Sequence, residues 1–242
     1  MSPNISTDAQ RVLDILTNGG IAIIPSSVGY GIVATDPCAL ARIYTVKQRA
    51  PHKRHAIIGS YPLHRALHLL PSEKQELTRA LTVTLDLPLG IIAPYRADHP
   101  LLRNLDAETL SQSTVGHTVA MLVNGGPFQE ELVRLATAAG KLVLGSSANI
   151  SGQGTKAVVE EIEEEVRRAA DVVVDYGRVR YGKPRASSTM VDVGKMALVR
   201  FGACYEVIRD VMKRFYGVFW PEDPGREVLF SGRLNEMSAS IP

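Results

Sequence analysis

The chain has 242 residues, of which 45% are hydrophobic and 21% charged, and its formal net charge is +2. This composition is ordinary for a globular protein with a buried core, and it excludes a chain that binds polyanions over its whole surface, so a basic site has to be local. Two cysteines without a CxxC pair or a Cys/His cluster argue against structural zinc. The N-terminus lacks a secretory signal pattern and no apolar run has the length of a membrane span, so we expect a cytoplasmic protein without a membrane partner.

Short apolar runs alternate with amphipathic stretches along the chain, which is typical of an α/β fold. The first helix is predicted at 8–18, with a cap among residues 6–8. Asp36 is predicted to cap a second helix with Pro37 in its first turn, and Pro51 to mark its end. Further strands are predicted at 20–25, 56–58, 89–93, 118–123, 141–144, 171–175, 188–193 and 197–201, and further helices at 127–140, 156–170 and 205–216.

The helix predicted at 156–170 carries a run of glutamates, which is typical of a solvated face. After Gly217 the periodic pattern ends. We therefore predict one domain at 1–217 and a C-terminal tail or packing extension at 218–242, which Trp220 is expected to pin onto the body.

Three segments that follow predicted elements are rich in small polar or basic residues, and ligands of open α/β sheets bind at strand ends. Segment 25–31 reads PSSVGYG, where glycines allow close approach of a ligand. The alternative is a plain turn with Tyr30 in the core. Segment 47–55 holds four positive charges within eight residues, and at a helix end Lys47 and Arg49 can converge on one anion. The alternative is that they only complement the helix dipole.

Segment 145–152 reads GSSANISG, and its hydroxyls, amide and backbone N–H groups are typical of an anion-binding nest. The alternative is a turn that leads into the next helix. The Walker A, GxGxxG, GxSxG and HExxH signatures are all absent, so phosphate binding does not follow from a common motif.

Together these segments resemble the threonylcarbamoyl-AMP synthase (YrdC-like) family over residues 13–202. A Lys-x-Arg motif alone carries no weight, but its pairing with Ser-Ala-Asn-x-Ser-Gly in this context is specific. The matching pieces are PSSVGYG at 25–31, Lys47 with Arg49, Ser147 with Asn149, STMVD at 188–192 and RFG at 200–202.

The resemblance implies a twisted, mixed parallel and antiparallel sheet flanked by helices, with a large basic cavity. It also implies a reaction in which bicarbonate adds to the amino group of threonine and the carbamate attacks the α-phosphate of ATP, releasing pyrophosphate. ATP brings Mg²⁺, for which no protein ligand is identified, and tRNA or tRNA-modification proteins are the implied downstream partners. The implied catalytic residues are Lys47 and Arg49; the ATP- or phosphate-binding residues are Lys47, Arg49, Ser147, Asn149, Ser151 and Arg200; the amino-acid-binding residues are Ser26, Ser27, Tyr30 and Ser188.

The sequence departs from the family pattern mainly on the amino-acid side. Residues 26–28 read Ser-Ser-Val where the family usually has Thr, an acidic residue and Thr, and the Val28 side chain makes no hydrogen bond. Asn124 stands where an arginine is usual, and His55 where a proline is common. A lost polar contact changes specificity strongly. These departures therefore argue against threonine as the amino acid more than against ATP as the nucleotide, and another amine is an alternative.

Two other functions stay open. One is a divergent transferase of secondary metabolism that handles a carbamoyl-adenylate, acting with a second protein. The other is a non-catalytic nucleotide- or RNA-binding module that uses the same basic cleft. The small net charge argues against RNA binding, and the absence of acylphosphatase-like or zinc-finger segments argues against self-contained carbamoyl transfer.

Overall fold

A computed structural model describes residues 4–50 and 52–234, which form a ten-stranded sheet flanked by helices. The strands are β1 (Ala22–Ser26), β2 (Gly29–Ala34), β3 (Ala56–Ile58), β4 (Leu89–Pro94), β5 (Thr114–Val115), β6 (Thr118–Val123), β7 (Leu144–Ser147), β8 (Val172–Val173), β9 (Thr189–Asp192) and β10 (Ala197–Arg200). The helices are α1 (Ile5–Thr17), α2 (Pro37–Val46), α3 (Tyr61–Leu67), α4 (Ser72–Arg79), α5 (Pro100–Arg103), α6 (Ala107–Ser113), α7 (Pro127–Ala138), α8 (Glu164–Arg168) and α9 (Tyr205–Tyr216), with a π-helical turn at Ala80–Thr84 and a 3-10 turn at Val159–Glu161.

The sheet mixes parallel and antiparallel pairs, as predicted. Its order is β10-β9-β4-β6-β3-β7-β2-β1-β8, and β5 pairs with β6. The pairs β1–β8, β3–β6 and β4–β9 are parallel and the others are antiparallel. Helices α1 and α7 pack on each other and on β1. No helix within 4–50 and 52–234 is both long and apolar enough to cross a membrane.

The sheet curls so strongly that its two ends meet. Val28, in the turn between β1 and β2, accepts a hydrogen bond from the N–H of Ser187, just before β9 (2.7 Å). The neighbouring Ser27 accepts from the N–H of Tyr181 (2.8 Å) and donates its own N–H to Gly125 (2.6 Å). Since β1 and β9 lie near opposite ends of the strand order, these bonds tie the hairpin tip to the far end of the sheet.

The helix starts follow their capping side chains. Helix α1 begins at Ile5, because the side chain of Asn4 accepts from the N–H of Thr7 (3.2 Å), so the cap predicted at 6–8 was wrong. Helix α2 begins as predicted, with Asp36 accepting from two backbone N–H groups and Pro37 in the first turn. It ends at Val46, and the predicted stop at Pro51 lies outside the described residues.

The prediction of one continuous helix at 156–170 was wrong. Only a 3-10 turn and the five-residue α8 form there, because tertiary contacts hold the first part of the segment in an extended form. The carbonyl of Lys156 accepts from the N–H of Tyr30 (3.0 Å), and the Lys156 ammonium pairs with Glu163 (2.7 Å). Glu160, Glu161 and residues 164–165 are exposed, as predicted for a solvated face.

The strand predicted at 141–144 was also wrong in position, because β7 lies at Leu144–Ser147. Residues 145–147, assigned from the sequence to a loop, therefore belong to the sheet and pair with β2. A Cβ on Gly145 would lie 2.3 Å from the carbonyl oxygen of Ile32, so only glycine fits this close strand contact. Neither β2 nor the helices α3–α6 are predicted from the sequence pattern.

The strands predicted at 56–58, 118–123, 188–193 and 197–201 and the helices predicted at 127–140 and 205–216 are confirmed to within two residues at each end. Trp220 is buried and its indole N–H donates to the carbonyl of Met196 (3.1 Å). Segment 218–234 thus contacts the body of the protein, and the division into 1–217 and 218–242 stays a prediction.

Two histidines, His64 in α3 and His68 at its C-terminal end, form a hydrogen-bonded chain with Thr78 of α4. The Nδ1 atoms of His64 and His68 lie 2.7 Å apart, and His64 Nε2 is 2.9 Å from the hydroxyl of Thr78. Both rings are buried. Burial, with the charge of the other histidine, lowers the pKa of His64 to about 3, and burial lowers the pKa of His68 to about 4. Both rings are therefore neutral in the folded protein at neutral pH.

We expect the free energy of unfolding to fall as the pH falls from about 6.5 towards 4. In this window the unfolded chain binds protons on His64 and His68 that the folded protein does not, so each contributes a slope of about 1.4 kcal/mol per pH unit. Urea unfolding at several pH values measures the slope. His64→Gln should reduce it by about one such increment. An equal slope in the variant and the unmodified protein would contradict this account.

Candidate functional site

The site forms where the end of α2 meets the end of β7. Lys47 is 1% exposed, and its ammonium donates hydrogen bonds to the carbonyls of Ser147 and Asn149. The N–H of Ser151 in turn donates to the carbonyl of Lys47 (3.0 Å). The two motifs singled out in the sequence, one hundred residues apart, therefore lie in direct contact.

The electrostatic environment of Lys47 destabilises its own charge. Burial and then the charge of Arg49 lower the pKa of Lys47 to about 7, and only the distant attraction of Glu163 opposes them among the larger effects. Glu163 itself is paired with Lys156 at 2.7 Å. Within the described ranges no carboxylate forms an ion pair with Lys47.

Arg49 follows Lys47 after a sharp turn. Gln48 lies in the left-handed region (φ 49°) and ends the helix between the two basic residues. The Arg49 guanidinium donates to the carbonyl of Arg54 (2.5 Å) and lies 5.4 Å from the centre of the Tyr44 ring. Burial lowers the pKa of Arg49, and the charge of Arg233 lowers it further.

Unpartnered polar atoms concentrate around these cations. His55 is fully buried, and neither ring nitrogen has a hydrogen-bond partner. Ala56 pairs with Gly145, so the antiparallel register puts His55 beside Ser146, whose buried hydroxyl is also unpartnered. Of the seven such side-chain atoms in the described chain, five lie here, on Arg49, His55, Ser146 and Asn149. Buried polar groups are normally satisfied, so this concentration indicates a place where a polar ligand binds.

His55 was not assigned to the site from the sequence, where it appeared only as a departure from the family pattern. Burial, then the charges of Arg49 and Lys47, lower its pKa to about 3. The ring is therefore neutral at neutral pH and carries one donor and one acceptor. A histidine directly between a basic segment and a buried strand was the signal that could have found it.

The hydroxyls of Ser147 and Ser151 have no protein partner in 4–50 and 52–234, and both residues are half-buried. Asn149 is 5% exposed, its amide NH₂ donates to the carbonyl of Ile150, and its amide oxygen is unpartnered. Three predicted ligand-binding residues are thus brought to one side of Lys47 with free polar atoms.

The hydroxyls of Ser26 and Tyr30, two of the residues predicted to bind the amino acid, already have hydrogen-bond partners within the protein. The Ser26 hydroxyl donates to the carbonyl of Gly29 (2.6 Å) within the hairpin turn. The Tyr30 hydroxyl lies 2.9 Å from Asp175 Oδ1 and 2.7 Å from the carbonyl of Gly177, and its ring is 1% exposed. Burial and the bond to Asp175 raise the pKa of Tyr30. This is the environment of a structural tyrosine, which was the alternative to a ligand contact. The Ser27 hydroxyl has only a weak contact with the carbonyl of Asn124 (3.4 Å).

Ser188 and Arg200 contact each other. Arg200 donates to the Ser188 carbonyl at 3.1 and 2.8 Å and to the Ser188 hydroxyl at 3.2 Å. Burial and the charge of Arg233 lower the pKa of Arg200 to about 9. The sequence assigned Arg200 to ATP and Ser188 to the amino acid, so their contact means that the two predicted subsites would adjoin. Neither residue contacts Lys47 directly in the described part of the chain.

Comparison with known proteins identifies the family of this chain. Residues 14–202 match the sequence profile of the Sua5/YciO/YrdC family, which carries the description "telomere recombination". The chain belongs to this family. The matched region contains Lys47, His55, Ser147 and Arg200 and ends at Gly202.

One curated protein and two solved structures are similar to this chain. The chain is 25% identical over 194 residues to a protein of Methanocaldococcus jannaschii named "Putative threonylcarbamoyl-AMP synthase", covering 77% of this chain and 82% of that protein. Its fold resembles the hypothetical protein smu.1377c of Streptococcus mutans UA159 (TM-score 0.71, 21% identity, 87% and 92% covered). It also resembles P. abyssi Sua5 complexed with L-threonine (TM-score 0.63, 20% identity, 81% covered), of which it spans about half the length (54%).

Val28, which departs from the family pattern, is a packed turn residue in this fold. Its side chain is 3% exposed, its N–H donates to the Ser26 hydroxyl (3.3 Å), and its carbonyl accepts from Ser187. The valine thus stabilises the junction between the ends of the sheet.

Asn124 occupies the position where the family pattern leads us to expect an arginine. It adopts a left-handed conformation (φ 58°), and its amide donates to Asp86 (3.0 Å). Arg180 pairs with the same carboxylate at 3.1 Å. The expected cation is therefore absent from this position, and a neighbouring arginine is neutralised by the acid that Asn124 contacts.

We expect His55→Phe to leave the free energy of unfolding unchanged or to raise it. Phenylalanine keeps the edge-on contact with Tyr44, in which the ring centres lie 4.7 Å apart, and removes two unpartnered nitrogens. Each unsatisfied polar group costs about 1–3 kcal/mol when buried. Urea unfolding at pH 7.5 tests this, with the buried and fully bonded His64→Phe as the contrasting variant, which should destabilise. A large loss in His55→Phe would mean that its ring has partners within the protein.

Proposed function

We propose that this chain is a nucleotidyltransferase that makes threonylcarbamoyl-AMP from threonine, bicarbonate and ATP, with release of pyrophosphate. The observation that carries the proposal is the group of buried or half-buried cations, Lys47, Arg49 and Arg200, without ion-pair partners in the described residues. Unpaired buried charge is costly, so these residues gain most when a polyanion binds. The name of the M. jannaschii relative supports this reaction, and the structure of P. abyssi Sua5 with L-threonine supports threonine as the first amino acid to test.

In the proposed reaction the amino nitrogen of threonine bonds to the carbon of bicarbonate, giving a carbamate and water. A carbamate oxygen then attacks the α-phosphorus of ATP, and the bond from that phosphorus to the bridging oxygen of pyrophosphate breaks. Charge grows on the leaving pyrophosphate. Lys47 and Arg49 would stabilise it, and because the protein already holds both cations in place, little reorganisation is needed.

The neutral groups beside these cations would orient the nucleotide. The free hydroxyls of Ser147 and Ser151 are suited to donate to phosphate oxygens. The neutral His55 ring offers one donor and one acceptor without adding charge. These contacts would position the α-phosphorus for attack.

Mg²⁺ enters this proposal as part of the Mg·ATP substrate. In the described chain no group of three or more His, Cys, Asp or Glu side chains is placed to hold a metal ion, so we assign it no protein ligands and route no step through it. The threonylcarbamoyl group of this product would then be transferred to tRNA, the acceptor that the family resemblance implies, with AMP as the leaving group.

Pyrophosphate release measures the proposed reaction directly. We expect release only when ATP, bicarbonate and an amino acid are all present, with threonine the most effective. Lys47→Ala and Arg49→Ala should each lower turnover by about 100-fold or more, the effect of removing one preorganised charge contact. The exposed Lys141→Ala serves as the control and should retain activity.

The outcomes separate the alternatives. Pyrophosphate release with another amine in place of threonine would mean that the protein catalyses the proposed reaction on a different amino substrate. Turnover with carbamoyl phosphate and not bicarbonate would favour the transferase alternative. No pyrophosphate release with any amino acid, together with salt-sensitive RNA binding, would contradict the proposal and favour a binding module.

ATP affinity should fall as the pH rises from 7.5 to 9. The pKa of Lys47 in the free protein is about 7, so its side chain is mostly the neutral amine between pH 7.5 and 9. It must therefore take up a proton to bind phosphate as a cation. The expected loss approaches tenfold per pH unit. Calorimetry in two buffers of different ionisation enthalpy should show uptake of about one proton at pH 8. Lys47→Arg keeps its charge and should lose both effects; pH-independent binding by the unmodified protein would contradict the assignment.

A further inference from the structure

The residues after α9 form a segment that packs beside Arg200 of the candidate site, and we call residues 218–234 the C-terminal strap. Its first anchor is Trp220, buried on Met196. Its second is Asp223, which accepts two hydrogen bonds from the Arg185 guanidinium at 2.6 and 2.7 Å. Both partners of this ion pair are almost completely buried, at 4% and 10% exposure. A bidentate buried pair fixes geometry closely, so the strap has a defined position.

Beyond these anchors the strap reaches both halves of the site. The Phe230 ring lies against Gly154, where an added Cβ would approach it to 3.1 Å, and Gly154 follows the Ser147–Ser151 segment. The carbonyl of Gly232 accepts from the N–H of Phe201 (2.8 Å). Gly232 has a φ of 71°, and an added Cβ would lie 2.4 Å from the Phe201 carbonyl. The strap therefore bridges from the loop after β7 to the end of β10.

The next residue, Arg233, pairs with Arg200 as an antiparallel bridge. Its charge lowers the pKa of both Arg200 and Arg49, which places it in electrostatic reach of both. Its side chain is half-buried and has no ion-pair partner among the residues that the structure describes. A half-buried guanidinium beside a second arginine, without a carboxylate partner, is costly, and an anion bound between the two would lower that cost.

We propose that the C-terminal strap forms one wall of the nucleotide site and that Arg233 binds the phosphates of ATP beside Arg200. This inference rests on the proposed function, since it assigns a further residue to the same triphosphate. It extends the site beyond residue 202, where the family match ends. Arg233 is a binding residue in this proposal, and a guanidinium suits it because its fork of N–H groups matches phosphate oxygens.

Binding of three probes tests the role of Arg233: Mg·ATP, inorganic tripolyphosphate and adenosine. Arg233→Ala should weaken ATP and tripolyphosphate by about tenfold, the usual effect of losing one charge-assisted contact. It should leave adenosine affinity unchanged, which a merely structural role would not. Arg233→Lys should restore part of the loss. Arg226→Ala is the matched control, because Arg226 is an exposed arginine of the same strap that stacks on Phe230 at 4.7 Å.

Each result decides the question. Equal tripolyphosphate affinity for Arg233→Ala and the unmodified protein would overturn the inference while the proposed function stands. The inference would also be overturned if Arg226→Ala weakened tripolyphosphate binding equally, because the effect would then come from net charge. A parallel loss of adenosine affinity in Arg233→Ala would overturn it as well, because the effect would then come from altered structure. If the unmodified protein binds neither ATP nor tripolyphosphate, the proposed function fails and this inference fails with it.

Discussion

The burial of the Lys47 ammonium against the carbonyls of Ser147 and Asn149 is the interaction on which the site depends. It joins the end of α2 to the end of β7, and the N–H of Ser151 returns a hydrogen bond to the lysine carbonyl. Carbonyl oxygens stabilise a cation without neutralising it. The protein therefore holds a desolvated amine in place whose pKa is lowered to about 7, and His55 and Arg49 add polar atoms that it does not satisfy itself. This arrangement costs stability in the free protein.

Much of this could be predicted from the sequence, because short motifs report local chemistry. Asp36-Pro37 marked the start of α2, and the Lys-x-Arg and Ser-x-Asn motifs pointed to segments that do meet. The positions of helices and strands along the chain were harder to predict. Residues 156–170 have helical periodicity, but the contacts of Lys156 with Tyr30 and Glu163 prevent a continuous helix, and no local pattern encodes these contacts. His55 was missed as a site residue because its role depends on burial beside β7, which is a property of strand order.

The C-terminal strap shows the same limit more clearly. Its sequence has little periodicity, since it is held by single contacts rather than by a repeated face. The Arg185–Asp223 pair, the Phe230–Gly154 contact and the left-handed Gly232 each involve one residue. Such contacts leave no pattern in a sequence window, although they determine which charges surround the site. The strap and the family-matched domain are therefore best considered as one structural unit around Arg200.

The meeting of the two ends of the sheet has a consequence for how the protein folds. Residues 27–28 bond to residues 181 and 187, and the Ile21 N–H bonds to the carboxylate of Asp171, 150 positions away. Contacts of such sequence separation form late, because closing a long loop loses chain entropy before any contact compensates for it. The central strands can pair before this closure, whereas Ser187, next to Ser188 of the candidate site, is fixed against the β1–β2 turn only when it is complete. Ligand-binding competence should therefore be among the last properties acquired in refolding, after most secondary structure has formed.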